Sequence, residues 1–124
     1  MLEIGKLAEA PYKLVIAYPR PEQDEVERRL AELRQLGITH VELGGRKRLP
    51  GGLEVLGKGH VGIVVAARMG DRKVALKIRR VDANRASMAH EARMLELANS
   101  VGVGPELLAH TEDFLVMEFI EGPH

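Results

Sequence analysis

Between Leu53 and Arg80 the chain reads LEVLGKGHVGIVVAARMGDRKVALKIRR, three β-rich runs broken by two glycine-bearing turns. Few folds accept such a stretch. LEVLGKG and VGIVVAA flank Gly57, Gly59 and Gly62, which are spaced G-x-G-x-x-G, so the glycines fall at the tip of a hairpin. Gly70-Asp71 turns the chain into RKVALKIRR, a third strand with Val74, Leu76 and Ile78 on one face and Ala75 and Lys77 on the other. Residues 84 to 100, NRASMAHEARMLELANS, are rich in strong helix formers, with Asp82 or Asn84 as cap and Gly102 just past the end. ELLAH and DFLVMEFI follow as two more strands around a turn at Thr111 to Asp113. The order strand, strand, strand, helix, strand, strand predicts an α+β fold, a five-stranded antiparallel sheet with one main helix.

The first 50 residues have another texture. Val26, Leu30, Leu33 and Leu36 recur at helical spacing in PEQDEVERRLAELRQLG, with charges on the opposite face, Pro21 suiting the start and Gly37 the stop. YKLVIAY, Tyr12 to Tyr18, reads as a short buried strand ended by Pro19, and Thr39 to Leu43 alternates like a strand. Gly44-Gly45 and Pro50-Gly51-Gly52 mark a boundary. The expected organisation is therefore a strand–helix–strand extension over 1–50 and a second unit over 51–124.

Composition narrows the classes of function. Lys plus Arg and Asp plus Glu number 18 each, so no whole-domain positive field draws the chain to nucleic acid or to an acidic surface. The lack of cysteine excludes disulfides and thiolate metal sites and fits a reducing compartment. No apolar run nears the roughly 18 residues that span a bilayer, and the N-terminus lacks the apolar stretch of a signal peptide. A soluble, cytoplasmic protein is the expectation.

One charge stands out. Met88, Ala92, Leu95 and Ala98 form an apolar stripe on the second helix, and Glu91 lies on the same side. A carboxylate there needs a cation partner, a protonated state, or a place at the rim of the stripe that reaches solvent. Lys77, beside small Ala75 on its strand face, is a candidate partner. Gly59 and Gly62 would let backbone N–H groups approach an anion closely. A lysine held by a carboxylate nearby would supply a point charge for phosphate oxygens. Val64 and Ala75 would roof a flat ring, with Leu56 just before the first glycine.

These residues together resemble the N-terminal lobe of the protein-kinase superfamily. The matching pieces run in order from Leu56 to Gly122: Gly57-x-Gly59-x-x-Gly62-x-Val64, then Val74-Ala75-Leu76-Lys77, then Glu91 within HEARML, then Val116-Met117-Glu118-Phe119. The later part is similar to compact, atypical microbial and archaeal Ser/Thr kinases of the Rio and Bud32-like kind. The resemblance implies that the glycine loop covers the phosphates of ATP and that Lys77 contacts them while paired with Glu91. It places Met117 at the back of the adenine pocket and gives backbone groups of Glu118 and Ile120 the adenine edge. It implies a protein substrate and Mg2+ in a complete kinase. The family's His-Arg-Asp loop and Asp-Phe-Gly motif are missing from this sequence, which stops at His124, so the chain by itself is expected to bind ATP weakly and to transfer no phosphoryl group. Two other readings stay open: a non-catalytic interaction module on the same lobe, and a lobe of a small-molecule phosphotransferase.

The other signals are plain. Arg46-Lys47-Arg48 and Arg79-Arg80 read as solvated surface, and His60 as a solvated loop residue. The five histidines show no paired metal spacing, and no serine sits in a nucleophile elbow.

Overall fold

The computed structural model describes residues 1–120; the end of the EFIEG segment and His124 lie outside the described residues. One short strand and two helical segments come first: Leu2–Glu3 (β1), a 3-10 turn over Ile4–Ala8, and a one-turn helix over Lys13–Ile16 (α1). Then come the helix Gln23–Gln35 (α2) and the strand Ile38–Glu42 (β2). Two-residue strands follow at Lys47–Arg48 (β3), Glu54–Val55 (β4) and Gly57–Lys58 (β5). The long hairpin pair is Gly62–Met69 (β6) and Arg72–Arg79 (β7), followed by the helix Ser87–Ser100 (α3) and the strands Leu107–His110 (β8) and Phe114–Glu118 (β9).

The α+β class holds, and all pairings in the main sheet are antiparallel. The strand count differs from expectation. The main sheet has seven strands in the order β1-β2-β6-β7-β9-β8, with β5 also on β6. The difference arises at one edge of β6. Residues 66 to 69 of β6 pair with β2 from the first 50 residues, so only Ile63 and Val64 are left to pair with the strand that precedes the glycines. LEVLGKG is split in consequence: Gly57–Lys58 stays on β6, while Glu54–Val55 folds back on Lys47–Arg48 as a separate two-stranded ribbon.

A second correction concerns YKLVIAY, which is helical rather than a strand. A short apolar run carries no period that separates a buried strand from a buried helical turn. Backbone groups here are satisfied locally: the Lys13 N–H donates to the Glu9 carbonyl at 2.9 Å and that of Ala17 to Lys13 at 3.2 Å. The apolar content is still spent in the core, where Val15, Ile16 and Ala17 are fully buried.

Alternation in β7 and β9 divides the molecule into layers. Val74, Leu76 and Ile78 together with Phe114 and Val116 face one side, where they join Leu7, Ile16, Leu30, Leu33, Ile38 and Val41 in one large apolar cluster. Leu115 and Met117 face the other side and meet Met88, Ala92 and Leu95 of α3 in a smaller cluster. The sheet is thus covered by the N-terminal helices on one face and by α3 on the other. Residues on both sides of position 50 belong to one sheet and one core. Helix ends follow their signals: Gly37 and Gly102 sit just past α2 and α3 with φ of 81° and 76°. Asn84 bonds through Oδ1 to the Ala86 N–H at 2.8 Å, immediately before α3.

Candidate nucleotide site on the α3 side of the sheet

Ala75 and Lys77 share the face of β7 that turns toward α3, two residues apart and opposite Ala66 and Val64 of β6. On α3, Glu91 projects back toward that face one turn from buried Met88. Lys77 Nζ donates to Glu91 Oε1 at 2.5 Å, and the two side chains are 23% and 28% exposed. Glu91 is therefore neither an orphaned core charge nor a rim residue free in solvent. It is a partly shielded ion pair between two elements.

Toward the other end of β7 the same face opens into a cavity of about 440 Å³ lined by Leu56, Ala75, Met117, Glu118 and Ile120. Leu56 and Ala75 are named for a ring-shaped ligand by the sequence and Met117, Glu118 and Ile120 by the resemblance, whereas Val64, expected with Ala75 over the ring, does not line the cavity. Its lining also includes Gly45, Arg46, Pro105 and Phe119, which sequence reasoning did not assign to a site. Phe119 was visible as the end of VMEF, but Gly45 and Arg46 had only the appearance of a boundary turn and a surface cluster. Lys73 Nζ lies 4.3 Å from the centroid of the Phe119 ring and fixes that side of the opening. The Glu118 N–H donates to the Glu106 carbonyl at 2.8 Å, so the backbone group that Glu118 can offer a ligand is its carbonyl.

The glycine loop stands beside this face without lining the cavity. Gly57 pairs with Val64, and Lys58 with Ile63. The Gly59 N–H closes the tip on the Gly62 carbonyl at 3.0 Å. The three glycines are not equivalent. A Cβ on Gly59 would meet nothing within 4 Å, whereas one on Gly62 would stand 2.5 Å from the Ile78 carbonyl oxygen. Gly62 thus serves the close approach of β6 to β7, and Gly59 leaves the tip open. Arg80 braces the loop from below, its N–H donating to the Val61 carbonyl at 2.7 Å and its Nη1 to the Gly59 carbonyl at 3.3 Å.

Arg79 does not lie on a solvated surface as its sequence context suggested. It is 4% exposed and bonds through Nη2 to Asp113 Oδ1 at 2.7 Å. Asp113, fully buried in what reads as a plain turn, also accepts from Arg28 Nη1 at 2.6 Å. Arg29, on a helix face expected to be polar and exposed, is fully buried and donates to the carbonyls of Ile16 and Arg79. This network ties α2 to the end of β7 and to the β8–β9 turn. Burial opposes the Asp113 charge, but hydrogen bonds with Glu32, Arg28 and Arg79 outweigh it and hold its pKa well below the ordinary value. Burial and the neighbouring Asp113 push Glu32 the other way, upward. Burial also lowers the pKa of Arg29, with Glu25 working against the shift.

Among the described residues no group of three or more His, Cys, Asp or Glu is placed to hold a metal ion, and no helix is long and apolar enough to cross a membrane. No protein-family model matches the chain, and no curated protein matches it either.

Proposed function

We propose that the chain is the ATP-binding lobe of an atypical Ser/Thr protein kinase, with phosphoryl transfer from ATP to a protein carried out by a complete enzyme that also supplies the catalytic aspartate and the ligands for Mg2+. The observation that carries the reading is the Lys77–Glu91 pair, 2.5 Å apart on the sheet face that leads into the apolar cavity. One of the three Lys77 donors is used by Glu91, which leaves two for phosphate oxygens. Glu91 holds the ammonium in place, and the apolar walls of Leu56, Ala75 and Met117 suit a purine ring. The Glu118 carbonyl and the backbone of Ile120 stand at the edge where a purine would present its polar atoms. The glycine tip lies on the Lys77 side, where phosphates would extend. A cytoplasmic setting accompanies the proposal.

A second reading is favoured by the outward face of α3 and the loop after it. Met94, Leu97, Val101 and Val103 are more than half exposed there, which suits a non-catalytic module that binds a partner through this helix.

Calorimetric titration with ATP separates the two. Weak, saturable binding that is lost in Lys77→Ala is the expected result. An affinity that Lys77→Ala leaves unchanged overturns the kinase-lobe reading in favour of the second. Phosphoryl transfer by the chain alone is expected to be undetectable.

A further inference from the structure

Arg46 lines the apolar cavity although it comes from the segment between the first 50 residues and the glycine loop. Its neighbours hold it there. The Gly44 N–H donates to the Glu54 carbonyl at 2.9 Å, and Lys47 pairs with Val55 in the two-stranded ribbon. Buried Leu49 anchors the far side of the ribbon, its N–H donating to the Leu53 carbonyl at 2.8 Å. Gly45 has φ of 143°, and a Cβ on it would overlap the Val55 carbonyl and stand 2.8 Å from Leu56 Cα. The backbone on either side of Arg46 is therefore pressed against the strand that leads to the glycines. Its side chain is exposed, and it forms no hydrogen bond or ion pair with any described residue.

A guanidinium with no ionic partner among the described residues, carried on a held backbone at the mouth of a mostly apolar slot, can lie against the π-face of a flat ring seated in that slot. We infer that Arg46 is a nucleobase-binding residue, stacking on the base of the bound nucleotide at the end of the site opposite Lys77. This rests on the nucleotide-site reading of the cavity and adds a residue outside the motif positions. The division of labour is spatial. Lys77 and Glu91 mark where phosphates would lie, whereas Leu56, Ala75, Met117 and Arg46 surround the ring. Contact with the ring makes the contribution of Arg46 independent of the phosphates.

The experiment is a set of calorimetric titrations of the purified chain with ATP and with adenosine, for the wild type, Arg46→Ala, Arg46→Lys and Lys77→Ala. The exposed, unpartnered position of Arg46 means that its variants keep the fold, which thermal denaturation checks. Arg46→Ala is expected to weaken ATP and adenosine by the same factor, about three- to tenfold. Arg46→Lys is expected to recover only part of the loss, since an ammonium lacks the planar stacking surface. Lys77→Ala is expected to weaken ATP and spare adenosine. Unchanged affinity for both ligands in Arg46→Ala overturns the inference while leaving the nucleotide site standing, and so does a loss confined to ATP, which would make Arg46 a phosphate contact. A wild-type chain that binds neither ligand overturns the underlying reading and this inference with it.

Discussion

Lys77 Nζ and Glu91 Oε1 lie 2.5 Å apart although 14 residues separate them in the chain. Each side chain is about a quarter exposed, so the pair adds little to stability, under about 1 kcal/mol. Its effect is positional. Glu91→Ala should leave the unfolding temperature almost unchanged while lowering ATP affinity by roughly tenfold, equivalent to about 1.4 kcal/mol. Thermal denaturation and calorimetry on the same sample check both halves. A large drop in stability with intact affinity would assign the pair a purely structural role.

The Asp113 network should behave in the opposite manner. Asp113 is fully buried among the guanidiniums of Arg28, Arg29 and Arg79. Removing it in Asp113→Ala leaves buried positive charge without its counter-ion, at a cost of about 3–5 kcal/mol. Urea denaturation reads this directly. A change below about 1 kcal/mol would mean that solvent reaches the site and that α2 is held by its apolar face alone.

Acid should dissolve the same network in a predictable order. The folded-state pKa of Asp113 lies below its ordinary 3.8, so its contribution is full above that pH and is lost as pH falls below it. The stability gap between wild type and Asp113→Asn should shrink as the pH drops below 3.8. Glu32 has the reverse sign. Burial, and then Asp113, raise its pKa above 4.5, so the stability tied to its neutral form is present below 4.5 and fades as pH rises. Glu32→Gln should match wild type in acid and gain on it at neutral pH. Unfolding temperatures at pH 4 and pH 7 test this, and equal differences at both would contradict the assignment.

Two glycines in one motif should respond differently to alanine. Gly62→Ala places a Cβ 2.5 Å from the Ile78 carbonyl oxygen, a backbone atom that yields only if β6 and β7 separate. The expected cost is about 1–3 kcal/mol. Gly59→Ala meets nothing within 4 Å and should change stability by no more than about 0.5 kcal/mol. Denaturation of the two single variants gives the comparison, and equal effects would show that the loop approaches the sheet in another way.

Removing residues 1–45 should unfold the remainder rather than release a stable lobe. The deletion strips β2 from half of one edge of β6 and exposes the apolar face formed by Val74, Leu76, Ile78, Phe114 and Val116. Circular dichroism of the shortened chain checks this. A cooperative thermal transition close to that of the full chain would show the first segment to be dispensable.

Much of the architecture was legible in the residues, and the illegible parts have identifiable causes. Strands 62–69 and 72–79 announced themselves through alternation and the Gly70-Asp71 turn, and α3 through its composition and its glycine stop. Ala75 and Met117 line one cavity because they are paired across neighbouring strands and so share a sheet face. YKLVIAY was misread because a short apolar run fits a buried turn of helix as well as a strand. LEVLGKG was over-extended because nothing local says that β2 occupies the rest of the β6 edge.

The buried arginines show where local reading ends. Arg29 looked like part of a polar helix face, Arg79 like surface, and Asp113 like a turn residue. Each is charged, and a charge goes to water unless partners at long range surround it. Those partners lie up to 85 residues away, as between Arg28 and Asp113. Short-range pattern alone determined the hairpin of β6 and β7, the helices α2 and α3 and the apolar faces, since periodicity and turn chemistry are properties of neighbours. The tertiary structure decided which charges are buried, which strand takes the free edge of β6, and that Arg46 lines the same cavity as Ala75 and Met117. Those outcomes depend on which distant segments pack together, a choice that burial and hydrogen-bond satisfaction make only once the whole chain is folded.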